Sequence, residues 1–326
     1  MKKLRRKLLL SIIMLGLTVI TVTSTTLAWF ANNQTAWVDE FELEIENVEG
    51  LLISVDGENF YSSVSNEELI KAIVAKKKNV DIKDLDLADA KKEIEKIRLS
   101  SITTKDLNKF LTIDNKVVNN YYQLKDASKE SYIEFDLYFR IVADEIATES
   151  KVLSIAPDSY IKSEARAVKL VNELRSKGVT YHSGESIAVN PADAIRVGIK
   201  VHDEDNTALI YEPNLGLGSY AIEGVDPSDE DYNINYDPNE NAMLTYFNNM
   251  NSSKMAPISE DEKEFYMNTK KFDDNTIISN FDVKEDNTGY KDIKLTVYVW
   301  LEGYDADYFL GISVKNISML LNFEKK

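Results

Sequence analysis

Two alternating stretches constrain this chain more than any other feature. Within 132–142, Ile133, Phe135, Leu137, Phe139 and Ile141 alternate with Tyr132, Glu134, Asp136, Tyr138 and Arg140. Within 293–301, Ile293, Leu295, Val297, Val299 and Leu301 alternate with Lys294, Thr296, Tyr298 and Trp300. A period of two sends successive side chains to opposite faces of a strand, so each stretch specifies a segment with one face on a core and the other toward water. Shorter segments at 51–55, 152–155, 277–283 and 312–323 extend the β pattern. Residues 194–201 and 207–211 form a hairpin across Asp203, Glu204, Asp205 and Asn206, whose short side chains bond their own backbone.

Three helices interrupt the strands, and one more short helix is expected over 260–269. Ser65 followed by Glu68 is a capping box, with Leu69, Ile70, Ile73 and Val74 as the buried stripe and Lys76, Lys77 and Lys78 at the end the macrodipole favours. Leu87, Ala90, Ile94 and Ile97, spaced by three and four, predict a second helix, making a helical insertion over about 65–100. A third is expected over 163–177 from Ala167, Leu170, Val171 and Leu174, stopped by Gly178. Residues 213–241 lack periodicity and are rich in Gly, Pro and acids, the composition of a long exposed loop. No repeat of solenoid or propeller length occurs.

The first 46 residues decide where such a fold would live. Lys2, Lys3, Arg5, Arg6 and Lys7 precede an apolar run over 8–22, which reads as a signal helix. Thr26, Leu27 and Ala28 offer cleavage after Ala28, leaving a mature domain over 29–326. If retained, residues 8–28 are long enough to span a bilayer, the chain's one expected membrane contact. Past the cut, Phe41, Leu43 and Ile45 alternate with Glu40, Glu42, Glu44 and Glu46, again a strand.

Thr26 and Ala28 ahead of Trp29, Phe30 and Asn32, then a short strand, resemble the export signal and mature start of TasA/camelysin-like secreted proteins. That resemblance implies secretion from a Gram-positive bacterium through a dedicated W-type signal peptidase, and a jelly-roll β-sandwich that builds biofilm matrix fibres. Residues 297–307 resemble a C-terminal stretch of uncharacterised secreted proteins with the same kind of signal. If the resemblance holds, assembly uses strand donation: Trp29, Phe30, Trp37, Phe41, Leu43 and Ile45 fill a groove in a neighbouring copy. The alternative is that the same segment pairs within its own chain.

Charge and composition narrow the chemistry. The chain carries 38 basic and 55 acidic residues, and removing the five basic residues of the leader leaves 33 against 55, a net charge of −22. Such a surface repels phosphate backbones, which excludes a nucleic-acid partner. With no cysteine, disulfides, thiolate catalysis and Cys-ligated metals are excluded. The abundant Tyr and Phe favour sheets.

Only His182 and His202 are present, too few and too far apart for a zinc hydrolase. As bases for a serine nucleophile they lack a G-x-S-x-G elbow, and both read as surface or turn residues. Glu302, Asp305 and Asp307 would suit a glycosidase if they shared a cleft, with Trp300 and Tyr304 as sugar platforms; the favoured reading is a solvated turn. Asp229, Asp231, Asn233, Asp237 and Glu240 stand at positions 1, 3, 5, 9 and 12 of a calcium-loop spacing. Ile234 replaces the required Gly and Pro238 interrupts, so calcium is the one cofactor the sequence offers, against a merely flexible acidic loop.

The expected molecule is mainly β, an antiparallel jelly-roll-like sandwich with helical insertions behind a signal helix. Its expected role is structural, in a cell-surface or matrix setting, with itself or other surface proteins as partners. The alternatives are an adhesin-type binding module for carbohydrate or protein, and a carboxylate hydrolase.

Overall fold

The computed structural model describes residues 36–37, 41–47, 50–118, 121–141, 149–170, 174–176, 179–203, 207–214, 269–270, 272, 277–303 and 317–326, with the backbone alone at 36–37, 41–47, 113, 115–117, 121–122, 174–176, 179 and 269–270. The expected signal helix, the expected cleavage site at Ala28, and Trp29 and Phe30 lie outside the described residues, as do the expected acidic loop from 215 onward and Asp305 and Asp307.

Strands β1 (Ala36–Trp37), β2 (Phe41–Asn47), β3 (Leu51–Ser54) and β4 (Ser63–Val64) precede the helical insertion. After β3 the chain turns at Gly57, where φ is +76°, and Ile53 bridges Tyr61 through backbone bonds of 2.8 and 2.9 Å. Helix α1 (Asn66–Lys78) begins with the expected box: Ser65 N–H donates to Glu68 Oε2 at 2.9 Å, and Glu68 N–H to Ser65 Oγ at 3.3 Å. It ends where Asn79 turns left-handed. Helix α2 (Leu87–Ile94) starts on Asp86, which accepts from Ala88 N–H at 2.8 Å. Ile97 falls just beyond this helix, yet is 1% exposed and belongs to the main core.

Then come β5 (Arg98–Leu99), β6 (Ser101–Thr104), β7 (Phe110–Val118), β8 (Tyr121–Asp126), β9 (Ile133–Ile141), β10 (Lys151–Ile155) and β11 (Tyr160–Lys162). The third expected helix is absent: β12 (Arg166–Lys169) and β13 (Leu174–Ser176) occupy its place. Val168 and Leu170, two apart, are the buried pair, and Val168 stands across from Ile187 in the strand over Ser186–Val189. Cross-strand burial outweighs the helical spacing and propensity of this segment.

The remaining strands are β14 (Val179–Tyr181), β15 (Ser186–Val189), β16 (Ile195–Val201), β17 (Ala208–Tyr211), β18 (Thr269–Lys270), β19 (Ile277–Phe281), β20 (Ile293–Glu302) and β21 (Ile317–Lys325). The expected hairpin is β16 with β17.

Two large sheets result. One runs β19-β10-β21-β2-β4, with β11 also beside β21; the other runs β18-β17-β16-β20-β6-β7-β8, with β9 beside β20 and β3 beside β9. Pairing is mixed rather than wholly antiparallel, since β2 with β21, β17 with β18 and β6 with β20 are parallel. Each parallel pair joins strands distant in sequence, so no tight turn dictates their direction.

Both sheets contribute to a single core. Ile133, Phe135, Leu137 and Phe139 of β9 and Ile195, Val197 and Ile199 of β16 join Met319, Leu321 and Phe323 of β21, and the Phe139 and Phe323 rings stand 4.6 Å apart. The opposite face of β20 is also sealed, contrary to the expected wet side: Thr296, Tyr298, Trp300 and Glu302 are at most 8% exposed. Ile102, Leu107 and Phe110 cover Tyr298 and Trp300 in a second cluster. A close approach at Gly198 permits this layer, because a Cβ there would stand 2.4 Å from Leu107 Cδ2 and 3.0 Å from Trp300 Cζ3.

Candidate functional site

Register places polar side chains in rows across the second face of the larger sheet. Asp136 of β9 stands across from Thr296 of β20, which stands across from Lys200 of β16. One row further, Glu134 faces Tyr298, and Tyr298 faces Gly198. Beyond that, Arg196 faces Trp300.

The Asp136 row is the hub of a charged network. Lys76, in the last turn of α1, places Nζ 2.8 and 2.9 Å from the two Asp136 oxygens. Thr296 donates its hydroxyl to Asp136 Oδ1 at 2.6 Å, and Lys294 Nζ is 3.3 Å from Oδ2. Because the Thr296 proton is committed to Asp136, the 2.7 Å contact from His202 Nε2 makes Nε2 the donor to Thr296 Oγ1. Burial works against the charged form of Asp136, but the bonds from Lys76 and Thr296 outweigh it and hold its carboxyl below the usual range. Two residues away, burial wins over Lys76 and pushes Glu134 up. Burial, then Lys294, holds His202 below its ordinary value.

A cleft of about 300 Å³ opens beside this hub, between the end of α1, the turn at 82–84 and the β3 side of the sheet. Val55, Ala72 and Ile82 supply apolar lining; Asp56, Asp81 and Lys83 supply polar lining. Asp56 is already occupied, accepting from the Glu58 and Asn59 amides at 2.8 Å each.

The Arg196 row ends in a sealed charge cluster. Arg196 Nη2 is 3.5 Å from Glu212 Oε2 and Nη1 is 3.5 Å from Glu302 Oε2, with the side chains 3% and 0% exposed. Trp300 Nε1 donates to the same Glu302 oxygen at 3.0 Å. This corrects the expectation of a solvated turn: Glu302 lies inside the protein at the end of β20, and Trp300, fully buried, presents no sugar platform. A site with no exposed face admits no substrate, so this cluster is an internal brace. Arg196 was readable as the one charge in the Ile195, Val197, Ile199 alternation; Glu212 follows an apolar strand and carried no comparable signal.

The histidines stand in separate elements. His182 follows β14 and donates its backbone N–H to Glu185 Oε2 at 2.6 Å in the turn that Gly184 makes at φ +90°; His202 follows β16. Among the described residues no group of three His, Asp or Glu converges to hold a metal ion. The calcium-loop residues Asp229, Asp231, Asn233, Asp237 and Glu240 lie outside that set. Among the described residues no helix is long and apolar enough to cross a membrane.

The segment expected to mediate assembly lies partly within the described residues. β2 runs parallel to β21, with Phe41 across from Ile317, Leu43 from Met319 and Ile45 from Leu321. On its other side β4 covers only Ile45 and Glu46, so within the described residues the half of β2 from Phe41 to Glu44 presents an open edge. Trp37, in β1, pairs with Arg98 of β5. Comparisons with protein-family models, with characterised proteins and with solved structures find no match for this chain.

Proposed function

We propose that this chain is an exported structural protein of the cell surface or extracellular matrix that associates with itself through its N-terminal strand. The two sheets on one core are read here as a jelly-roll-like β-sandwich. The observation that carries the reading is the seating of β2: a strand near the start of the expected mature chain lies along a distant strand, with half of its other edge open among the described residues. Such a strand is held by main-chain bonds that the corresponding slot of a neighbour reproduces equally well. The leader-like opening and the TasA/camelysin-like start support export, and the sealed cluster at Glu302 supports a structural rather than a hydrolytic role.

Removing residues 29–38 from the mature chain and imaging the secreted material by electron microscopy tests donation. Fibres from the wild type and isolated, folded subunits from the deletion are expected. Unchanged fibres sink the role of this segment, and a wild type that forms none sinks assembly. Tying β2 to its own β21 sharpens the result: with no native thiol, Leu43→Cys with Met319→Cys forms one engineered disulfide across paired Cα positions. The oxidised variant stays single and its reduced form assembles.

A second reading, a surface binding module, draws on the cleft beside Asp136. Its test is retention of the mature protein on immobilised cell-wall polysaccharide, with loss on filling the cleft by Ala72→Trp.

A further inference from the structure

The cleft beside Asp136 joins an aliphatic wall to a charged mouth. Val55, Ala72, Ala75 and Ile82 form the wall, and among the described residues no aromatic ring lines it. Val80, also in the lining, is 45% exposed, one of five exposed large apolar residues in the described structure. Such a wall suits alkyl carbons better than a stacked ring.

Charge selects what the alkyl chain carries. Of the lining charges, Lys76 and Asp136 cancel each other, with Nζ on both carboxylate oxygens. That leaves Asp56, Glu58 and Asp81 against Lys83 alone, so an anion meets a surplus of its own sign and a cation is drawn in. Lys83 Nζ donates to Glu58 Oε2. This bond raises the ammonium above its ordinary value, and the charges of Asp81 and Asp56 add to the effect. The two side chains are 51% and 66% exposed, which makes the pair weak and exchangeable. Asp81 spends Oδ1 on the Lys83 N–H at 2.9 Å and keeps Oδ2 open. The C-terminal end of α1 lines the same cleft through Ala75, Lys76 and Asn79, and its carbonyl pole also favours a cation. The protein's own lysine thus shows what the mouth accepts.

We propose that this cleft binds a primary ammonium on an unbranched alkyl stem, the chemistry of a lysine side chain. The ammonium takes the place of Lys83 beside Glu58 and Asp81, and the stem lies on Val55, Ala72 and Ile82. The surface-binding reading, on which this site rests, thereby gains a ligand. Lys83 is an internal competitor, displaced by a ligand that buries its methylenes as well as its charge.

The test is an amide NMR titration of the mature chain with N-acetyl-lysine amide, with cadaverine and with the uncharged pentanediol. Both amines are expected to shift residues 54–58 and 72–83, and pentanediol to leave them in place. Tighter binding of the lysine amide identifies a peptide lysine as the source, and tighter binding of cadaverine a free diamine. Lys83→Ala removes the competitor and tightens amine binding about fivefold, and Asp81→Asn loosens it by a similar factor, the scale of one exposed charge pair. Lys92→Ala, which removes a charge from the exposed face of α2, changes nothing. Shifts spread over the whole acidic surface, equal shifts from pentanediol, or equal gains from Lys83→Ala and Lys92→Ala overturn the proposal. Retention on the polysaccharide without amine-induced shifts sinks this ligand and leaves the binding reading; amine-induced shifts without retention sink the polysaccharide and leave the ligand.

Discussion

Lys76 Nζ lies within 2.9 Å of both carboxylate oxygens of Asp136, joining the helical insertion to the central β9 strand across 60 residues of sequence. The same carboxylate also accepts from Thr296, so one anion pins α1, β9 and β20 together.

This pin gives stability a definite pH dependence. The Asp136 carboxyl titrates below its ordinary value of 3.8 in the folded protein, so its contribution is complete above pH 3.8 and is lost as pH falls through the lower folded value. Asp136→Asn is expected to cost about 1–2 kcal/mol at pH 7, as for hydrogen bonds to a charged group discounted for partial exposure. The cost should shrink in strongly acidic buffer, read by urea unfolding at a series of pH values.

Glu134, two residues along, carries the opposite sign. Burial raises its folded carboxyl above the ordinary 4.5, so folding loses stability as pH climbs through 4.5 toward the raised value. Glu134→Gln is therefore expected to stabilise the protein at pH 7 and to be neutral below pH 4. The same denaturation series separates it from Asp136→Asn.

Arg196 stands between two buried carboxylates, and removing it leaves both without that counter-charge. Arg196→Met is expected to destabilise by about 3–5 kcal/mol, the cost of breaking a buried ion pair from one side. Combining it with Glu212→Gln and Glu302→Gln should restore a large part of that loss. Chemical denaturation of the single and triple variants decides between a structural brace and an inert cluster.

Gly303 follows β20 with its N–H on Ile102 O at 2.9 Å, and a Cβ there would stand 2.2 Å from Ser101 Oγ. Gly303→Ala should cost about 1–3 kcal/mol, the usual penalty of overpacking. Adding Ser101→Ala removes the clashing oxygen and leaves the serine Cβ at 3.4 Å, so partial recovery of the melting temperature is expected.

The fold was legible wherever one physical signal dominated. β9 and β20 follow from strict alternation, α1 from the Ser65 and Glu68 box, and the β16–β17 hairpin from its acidic turn. The 163–177 segment was misread because Ala167, Leu170, Val171 and Leu174 satisfy a helical period, while Val168 and Leu170 satisfy a strand period equally well. Local spacing does not reveal which partner a segment meets. The second cluster was hidden for a related reason: Tyr298 and Trp300 look like amphipathic outer-face residues until Phe110 and Leu107, from distant sequence, are laid over them. The charged hubs need register as well as composition, since nothing local connects Lys76 with Asp136 or Arg196 with Glu212 and Glu302.

The parallel seat of β2 along β21 orders events in time. Among the described residues the strand partner of Phe41 is Ile317, near the end of the chain, and β4 offers the early strand only two residues before that. Closing that pairing means closing a very large loop, which makes it a late and slow step of folding, after β3 with β9 and β16 with β17 have their partners.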